Sequence, residues 1–300
     1  MMSFLFLLMH KSGFVNIIGK PNVGKSTLMN VLIGEKLSII TPKAQTTRHR
    51  IRGILSGEDF QMVFSDTPGI IKPHYKLHKA MMDKVSEAVS DADVILFVME
   101  IKDTNPIDEK TLFRFQKSKA KIFVLINKID LGNQKLLEKK VEEWKTQLPN
   151  AEVIPVSAAE KYNCDYLLKR IRECLPEAPA YFPKDELTDK SQRFFVSEII
   201  REKILLNFRN EIPYCTEVVI EEFKEEEKII RIRAVIYVLR ESQQGILIGQ
   251  DGTALKRVGT QAREDMEAFL GKKVFLDTKV KIEKDWREME SKLKKFGYLE

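Results

Sequence analysis

Phe14-Val-Asn-Ile-Ile18 runs directly into Gly19-Lys-Pro-Asn-Val-Gly24-Lys25-Ser26, and Leu28, Val31 and Leu32 then recur at helical spacing before Gly34. A short, unalternating apolar run reads as a buried strand, and a glycine closing a periodic stretch reads as a helix stop. The segment between them has the form G-x4-G-K-[ST]. Glycines let successive backbone N–H groups curl around an anion, and the N-terminus of the following helix adds a favourable dipole. Strand, loop and helix in this order predict a phosphate cradle made of Gly19, Lys20, Pro21, Asn22, Val23, Gly24, Lys25, Ser26 and Thr27. Lys25 is expected to reach β- and γ-phosphate oxygens, and Ser26 to place its hydroxyl on Mg2+.

Further apolar runs follow at Gln61-Met-Val-Phe64 and over residues 93–99, 121–126 and 152–156. Helical spacing fills 76–90, 107–117, 134–148 and 163–175. Continuous apolar strands suit a sheet covered on both faces, and strands alternating with helices predict a mostly parallel α/β sheet.

The strand ends carry chemistry. Asn127-Lys-Ile-Asp130 follows an apolar run, and the Asp130 carboxylate can accept from both guanine N1–H and the exocyclic amine, an arrangement adenine lacks. A site built to pair polar groups strongly rejects an analogue that leaves them unpaired. Asn127 is expected at the purine's other edge, the Lys128 stem over the ring, and a backbone N–H of Val156-Ser157-Ala158 near guanine O6. Asp66-Thr67-Pro68-Gly69 ends another strand; Asp66 is expected to hold Mg2+ through water, and the Gly69 N–H to sense the γ-phosphate. One of Thr46 and Thr47 should close on the metal when the γ-phosphate is present, and Thr47 is favoured. Lys25, Thr47, Asp66 and Gly69 are thus the expected catalytic set. Many GTPases orient the attacking water with a glutamine after Asp-x-x-Gly. Ile70 stands there, so intrinsic hydrolysis should be slow. Asn22 could hold a monovalent cation, K+, beside the phosphates, or simply shape the loop.

With 300 residues, 43% hydrophobic and 31% charged, the composition excludes a disordered tail, a collagenous repeat and a polytopic membrane protein. No apolar run reaches the roughly 18 to 20 residues that span a bilayer. Cys164, Cys174 and Cys215 are too few and scattered for a disulfide framework, so a reducing cytosol is expected. Residues 1–190 carry net +5 and residues 191–300 net +1, so neither half is a polycation. One local run from Lys36 to Gly57 has five Lys and Arg and no acid. It reads either as a solvated mobile loop or as a surface for RNA or another polyanion. The opening MMSFLFLLMH lacks a basic start and a cleavage site, which disfavours a secretory signal. Met9 as the true start, or an apolar end that lies on the fold or touches a membrane, are the open readings.

Pro176, Pro179 and Pro183 mark a linker, placed at 177–192 between domains of 12–176 and 193–300. Beyond it the order changes: a helix at 193–209, strands at 216–223 and 229–239, helices at 243–248 and 253–269, a strand at 273–283 and a terminal helix at 285–296. This α-β-β-α-α-β layout, with Gly249-Gln-Asp-Gly252 joining two helices, is that of a type II KH domain, whose GxxG loop clamps a single strand. Ile246 and Ile248 are expected to line the base groove, and Gly249, Gln250, Asp251, Gly252, Lys256 and Arg257 to meet the backbone. Asp251 opposes phosphate unless it faces away.

Together GKPNVGKSTLMN, KAQTTRHRIRGI, DTPGI, NKID, VSA, SQRFFVSEIIREKIL, EIPY and the GQDG region give residues 13–296 a sequence that resembles the Era family of ribosome-assembly GTPases. The resemblance implies an α/β Ras-like P-loop GTPase domain followed by a smaller α+β type II KH domain. It implies GTP/GDP and Mg2+ as ligands. It also implies binding to the 3′ end of small-subunit rRNA as a checkpoint in maturation of the 30S subunit, with GTP setting the RNA-competent arrangement. Weak peripheral contact with the inner face of the membrane is a further implied property. Two other readings stand beside it: an RNA-binding module with GTP as a switch ligand and negligible turnover, and a GTPase acting on another RNA.

Overall fold

The computed structural model describes residues 10–104 and 107–299. The opening nonapeptide, and with it the choice of start, lies outside them. Backbone contacts divide the chain into two compact units. The first holds residues up to Ser38, Thr47–Ile71 and Met82–Asp189; the second holds Ile39–Thr46, Lys72–Met81 and residues from Lys190 onward.

In chain order the elements up to residue 174 are β1 (Lys11–Gly19), α1 (Lys25–Ile33), β2 (Ile51–Ser56), β3 (Phe60–Asp66), α2 (Lys76–Ser90), β4 (Val94–Glu100), α3 (Glu109–Lys117), β5 (Lys121–Asn127), α4 (Gln134–Gln147), β6 (Glu152–Pro155) and α5 (Cys164–Cys174). The sheet order is β2-β3-β1-β4-β5-β6. All its pairings are parallel except β2 with β3. Val15, Ile17, Leu96, Phe123 and Leu125 are wholly buried, as the unalternating runs require. One core layer joins Phe97, Phe115, Ile122, Val124 and Trp144 under α3 and α4. The parallel order brings the C-terminal ends of β1, β3, β5 and β6 together, and every motif of this unit sits at those ends.

The basic run is an irregular loop up to residue 50, with Lys36 exposed, and it is only in part solvated. Residues 51–56 form β2, and Arg48 and Arg50 are 1% and 9% exposed. Arg50 donates to Ser65 Oγ (3.1 Å), Asn16 Oδ1 (3.1 Å) and both oxygens of Asp91 (2.6 and 3.0 Å). Those partners satisfy its charge inside the unit, so these two arginines offer no surface to RNA. The expected linker is also structured up to Asp189. Gln61 binds the Tyr181 and Phe182 backbone, and Ile54 N donates to Leu187 O at 2.9 Å.

The second unit contains α6 (Gln192–Asn207), a one-turn α7 (Ile212–Cys215), β7 (Glu217–Glu225), β8 (Ile229–Val238), α8 (Glu241–Ile248), α9 (Thr253–Leu270), β9 (Lys273–Ile282) and α10 (Glu290–Lys295). Its sheet runs β7-β8-β9, antiparallel then parallel. Ile230, Ile232, Ala234, Ile236 and Val238 alternate along β8 onto the face packed with Val196, Ile200, Leu247, Val258 and Met266. The terminal helix is shorter than expected, because residues 284–288 form turns that seat Trp286, whose Nε1 donates to Cys215 O at 3.1 Å. Among the described residues no helix is long and apolar enough to cross a membrane.

Candidate functional site

Gly24 is the pivot of the phosphate loop. Its φ of 98° suits only glycine, and a Cβ there would lie 2.2 Å from Asn127 Nδ2. No side chain caps α1, so its first N–H groups face the loop. Lys25 is 6% exposed and its Nζ donates to Lys20 O at 2.7 Å. Burial lowers its pKa from the ordinary lysine value to about 8, against the attraction of Asp66. Lys20 itself is paired with Asp103 at 2.9 Å, and Asn22 is exposed with φ 63°.

Three oxygen donors converge beside Lys25. Ser26 Oγ donates to Asp66 Oδ2 at 2.7 Å, Thr47 Oγ1 donates to the same oxygen at 3.1 Å, and the two hydroxyls lie 2.9 Å apart. Thr46 is held elsewhere: its hydroxyl donates to Lys43 O at 2.6 Å and meets Thr41 Oγ1 at 2.7 Å. Asp66 is fully buried, and its Oδ1 has no hydrogen-bond partner. Burial raises its pKa, countered by Lys25 and by the hydroxyls of Ser26, Ser38 and Thr47. An unpartnered buried carboxylate oxygen is costly. Hard oxygen donors around it fit a magnesium site. Gly69 completes the cradle, since a Cβ there would meet Pro21 N at 2.6 Å. Ile70 N donates to Gly19 O at 3.0 Å, and the Ile70 side chain packs onto the apolar core. Thr67 is structural: its hydroxyl donates to Ile17 O at 2.7 Å.

At the base end, Ser157 Oγ donates to Asp130 Oδ1 at 2.5 Å and fixes the orientation of an exposed carboxylate. Lys128 has φ 59° and its Nζ lies 2.8 Å from Glu100. Asn127, expected at the purine edge, also has a role inside the protein that the sequence did not show. It is 1% exposed, its Nδ2 donates to Val23 O at 2.8 Å, and its Oδ1 accepts from Ala158 N at 3.0 Å. The residue therefore ties the phosphate loop to the 157–158 loop. The backbone N–H groups of Ser157 and Ala158 are likewise spent within the protein, on Tyr162 O at 3.2 Å and on Asn127.

In the second unit Gly249 (φ 76°) and Gly252 (φ 75°) bracket the turn from α8 to α9. Gln250 and Asp251 are exposed, as are Lys256 and Arg257 on the first turn of α9. Ile246 is 50% exposed and Ile248 half-buried. Asp251 holds a left-handed conformation at φ 50°.

The sequence reading missed Arg201, which no motif marks: it is 1% exposed on α6 and hydrogen-bonds backbone carbonyls at Gln45 and Thr46. An arginine three residues after Glu198, set among the apolar residues of the helix, was the available signal.

The family model described as 50S ribosome-binding GTPase matches residues 14–128, and that of the KH domain matches 211–287. The GTPase Era of Staphylococcus haemolyticus is 43% identical over 293 residues, spanning 97% of this chain and 98% of the relative. That of Staphylococcus epidermidis is equally similar. A crystal structure of Era with MgGDPNP and nucleotides 1506–1542 of 16S ribosomal RNA superposes with a TM-score of 0.92 at 39% identity, over 97% of this chain and 100% of that one. A substituted Aquifex aeolicus Era bound to GDP.AlF4− gives the same score, identity and coverage. A phosphate loop, the Ser26–Thr47–Asp66 cluster and a GxxG turn, joined in one chain of this similarity over nearly its full length, place the protein in the Era family of GTPases.

Proposed function

We propose that the protein is a GTP-hydrolysing switch whose second unit binds single-stranded small-subunit rRNA near its 3′ end, serving as a checkpoint in assembly of the 30S subunit. The observation that carries the nucleotide half is the convergence of Ser26 and Thr47 on Asp66, whose second oxygen is buried and unpartnered. Bound there, Mg2+ supplies charge that neutralises β- and γ-phosphate oxygens. Ser26 and Asp66 hold their places whichever nucleotide is bound. Thr47, whose hydroxyl lies on Asp66, closes on the metal when the γ-phosphate is present, so its segment reports the triphosphate. Lys25 supplies a buried positive charge, which is worth more in a dry site than in water. Asp130 selects guanine through its paired acceptor oxygens.

No carboxamide orients water at position 70, so turnover is slow. Asn22, at the rim of the loop, is our candidate for holding K+, where a fixed positive charge would act as an arginine finger does. Faster turnover in potassium than in sodium supports that assignment, and equal rates overturn it. Ile70, half-buried against the apolar core and with no group to orient water, favours a second reading in which turnover is negligible and GTP acts only as a switch ligand.

Exposed Ile246 beside the Gly249–Gly252 turn supports the RNA half. Cytoplasmic work on the assembling subunit goes with this function, and peripheral contact with the inner membrane face is an additional proposal. The decisive test is fluorescence binding of a short RNA copying the small-subunit 3′ end, with GDP and then with a non-hydrolysable GTP analogue, at stated salt. Tighter binding with the analogue, lost in the double variant Gly249→Asp, Gly252→Asp, is expected. Equal binding in both states means that the two domains are not coupled through this RNA, and the GTPase then answers to another partner.

A further inference from the structure

Thr47 delivers its hydroxyl to Asp66, yet the residues just before it, Ile39–Thr46, pack with the second unit. What holds them is Arg201. The residue is 1% exposed. Nε and Nη2 donate to the two oxygens of Glu198 at 2.7 and 2.6 Å. Nη1 donates to Gln45 O at 3.3 Å, and Nη2 also donates to Thr46 O. One planar fork thus joins a buried carboxylate one turn away to the last two carbonyls before Thr47. From the other side Lys43 Nζ donates to Leu205 O and Phe208 O at the end of α6. The loop is fastened to a single helix at Lys43 and again at Gln45–Thr46.

This is an expensive way to fill space. A buried ion pair is often no more stabilising than apolar residues of the same volume. Its distinct capacity is directional: guanidinium donors lie in one rigid plane, so carbonyls meeting them have little angular freedom. The Thr46 carbonyl belongs to the peptide unit that carries the Thr47 N–H. Fixing that peptide fixes where the Thr47 side chain starts.

We propose that Arg201 is a positioning residue for GTP hydrolysis: by clamping the Gln45 and Thr46 carbonyls against the Glu198-locked guanidinium, it presents the Thr47 hydroxyl to the metal site. It touches neither nucleotide nor metal and acts through Thr47. The inference rests on the nucleotide function proposed above.

The test replaces both members of the ion pair, Glu198→Leu with Arg201→Met, so that neither is left buried without the other; Arg201→Lys, which keeps the charge and loses the fork, is the second variant. Affinities for fluorescent GDP and for a non-hydrolysable GTP analogue with Mg2+, single-turnover hydrolysis and thermal melting are measured on the full chain. GDP affinity should stay unchanged, while analogue affinity and hydrolysis fall about tenfold, the size of effect usual for a residue that couples two sites. Adding either variant to Thr47→Ala should then change hydrolysis and analogue affinity less than about twofold, because the clamp has nothing left to position. Parallel loss of GDP and analogue affinity, or effects that multiply in the Thr47→Ala background, overturn the proposal. A wild-type chain that binds no guanine nucleotide would instead overturn the proposed function, a result visible before any variant is made.

Discussion

Replacing Asn127 with alanine tests whether this residue is a ligand contact or a brace. Its two polar ends serve Val23 O and Ala158 N, on residues that are 4% and 2% exposed. Alanine strands both groups. A buried backbone group without a partner costs about 1–3 kcal/mol. The pair therefore gives about 2–6 kcal/mol, and water reaching one of them sets the expectation in the lower half, near 3 kcal/mol. For a unit of this size 1 kcal/mol moves Tm by about 2–4 °C, so Asn127→Ala should melt about 6–12 °C below wild type in nucleotide-free buffer. The assay is thermal unfolding followed by circular dichroism, with and without saturating GDP. Asp130→Asn is the contrast: the carboxylate is exposed, so stability should hold within about 0.5 kcal/mol, while guanine selectivity collapses because one acceptor becomes a donor. A nucleotide-free Tm for Asn127→Ala within about 2 °C of wild type would refute the brace, and would return Asn127 to the purine edge as its main role.

Three further outcomes are expected. Lys25, with its pKa lowered to about 8, is a buried charge that weakens the nucleotide-free fold below that value, and the penalty relaxes as pH rises from about 8 to the unfolded lysine value. Phosphates restore the charged form, so nucleotide affinity should fall by up to about tenfold per pH unit above 8; calorimetry at pH 8.5 in two buffers of different ionisation enthalpy should detect proton uptake, and none would refute it. Gly24→Ala should abolish nucleotide binding, read by fluorescent GDP titration, because the new methyl meets Asn127 Nδ2 at 2.2 Å in a backbone conformation closed to alanine. Ile246→Ser should weaken RNA about fivefold or more with no change in melting temperature, since the side chain is half exposed.

Thr47 and Arg201 show where reading a chain in one dimension stops. The phosphate loop, Asp66-Thr67-Pro68-Gly69, Asn127-Lys-Ile-Asp130 and the Gly249–Gly252 turn were all legible as text. So were the alternating strands and helices between them. Each is a local device, in which a handful of consecutive residues sets both the backbone path and the donors it presents. The choice between Thr46 and Thr47 could be argued from the pattern but is fixed by geometry, since neighbouring hydroxyls in an irregular loop leave in different directions.

What the text could not yield is who ends up facing whom. Arg48 and Arg50 read as an exposed basic run, yet Arg50 is absorbed by Asn16, Ser65 and Asp91, which come from three separate segments. Asn127 read only as a base contact, and its second role, tying Val23 to Ala158, joins residues 104 and 31 positions away. Arg201 carried no motif at all, because its meaning lies in carbonyls more than 150 residues earlier. Backbone chemistry at a turn is written in adjacent residues. Burial, pairing of charge and the bracing of one loop by another depend on chain closure over long separations, so they emerge only once the sheet and helices have brought those segments together.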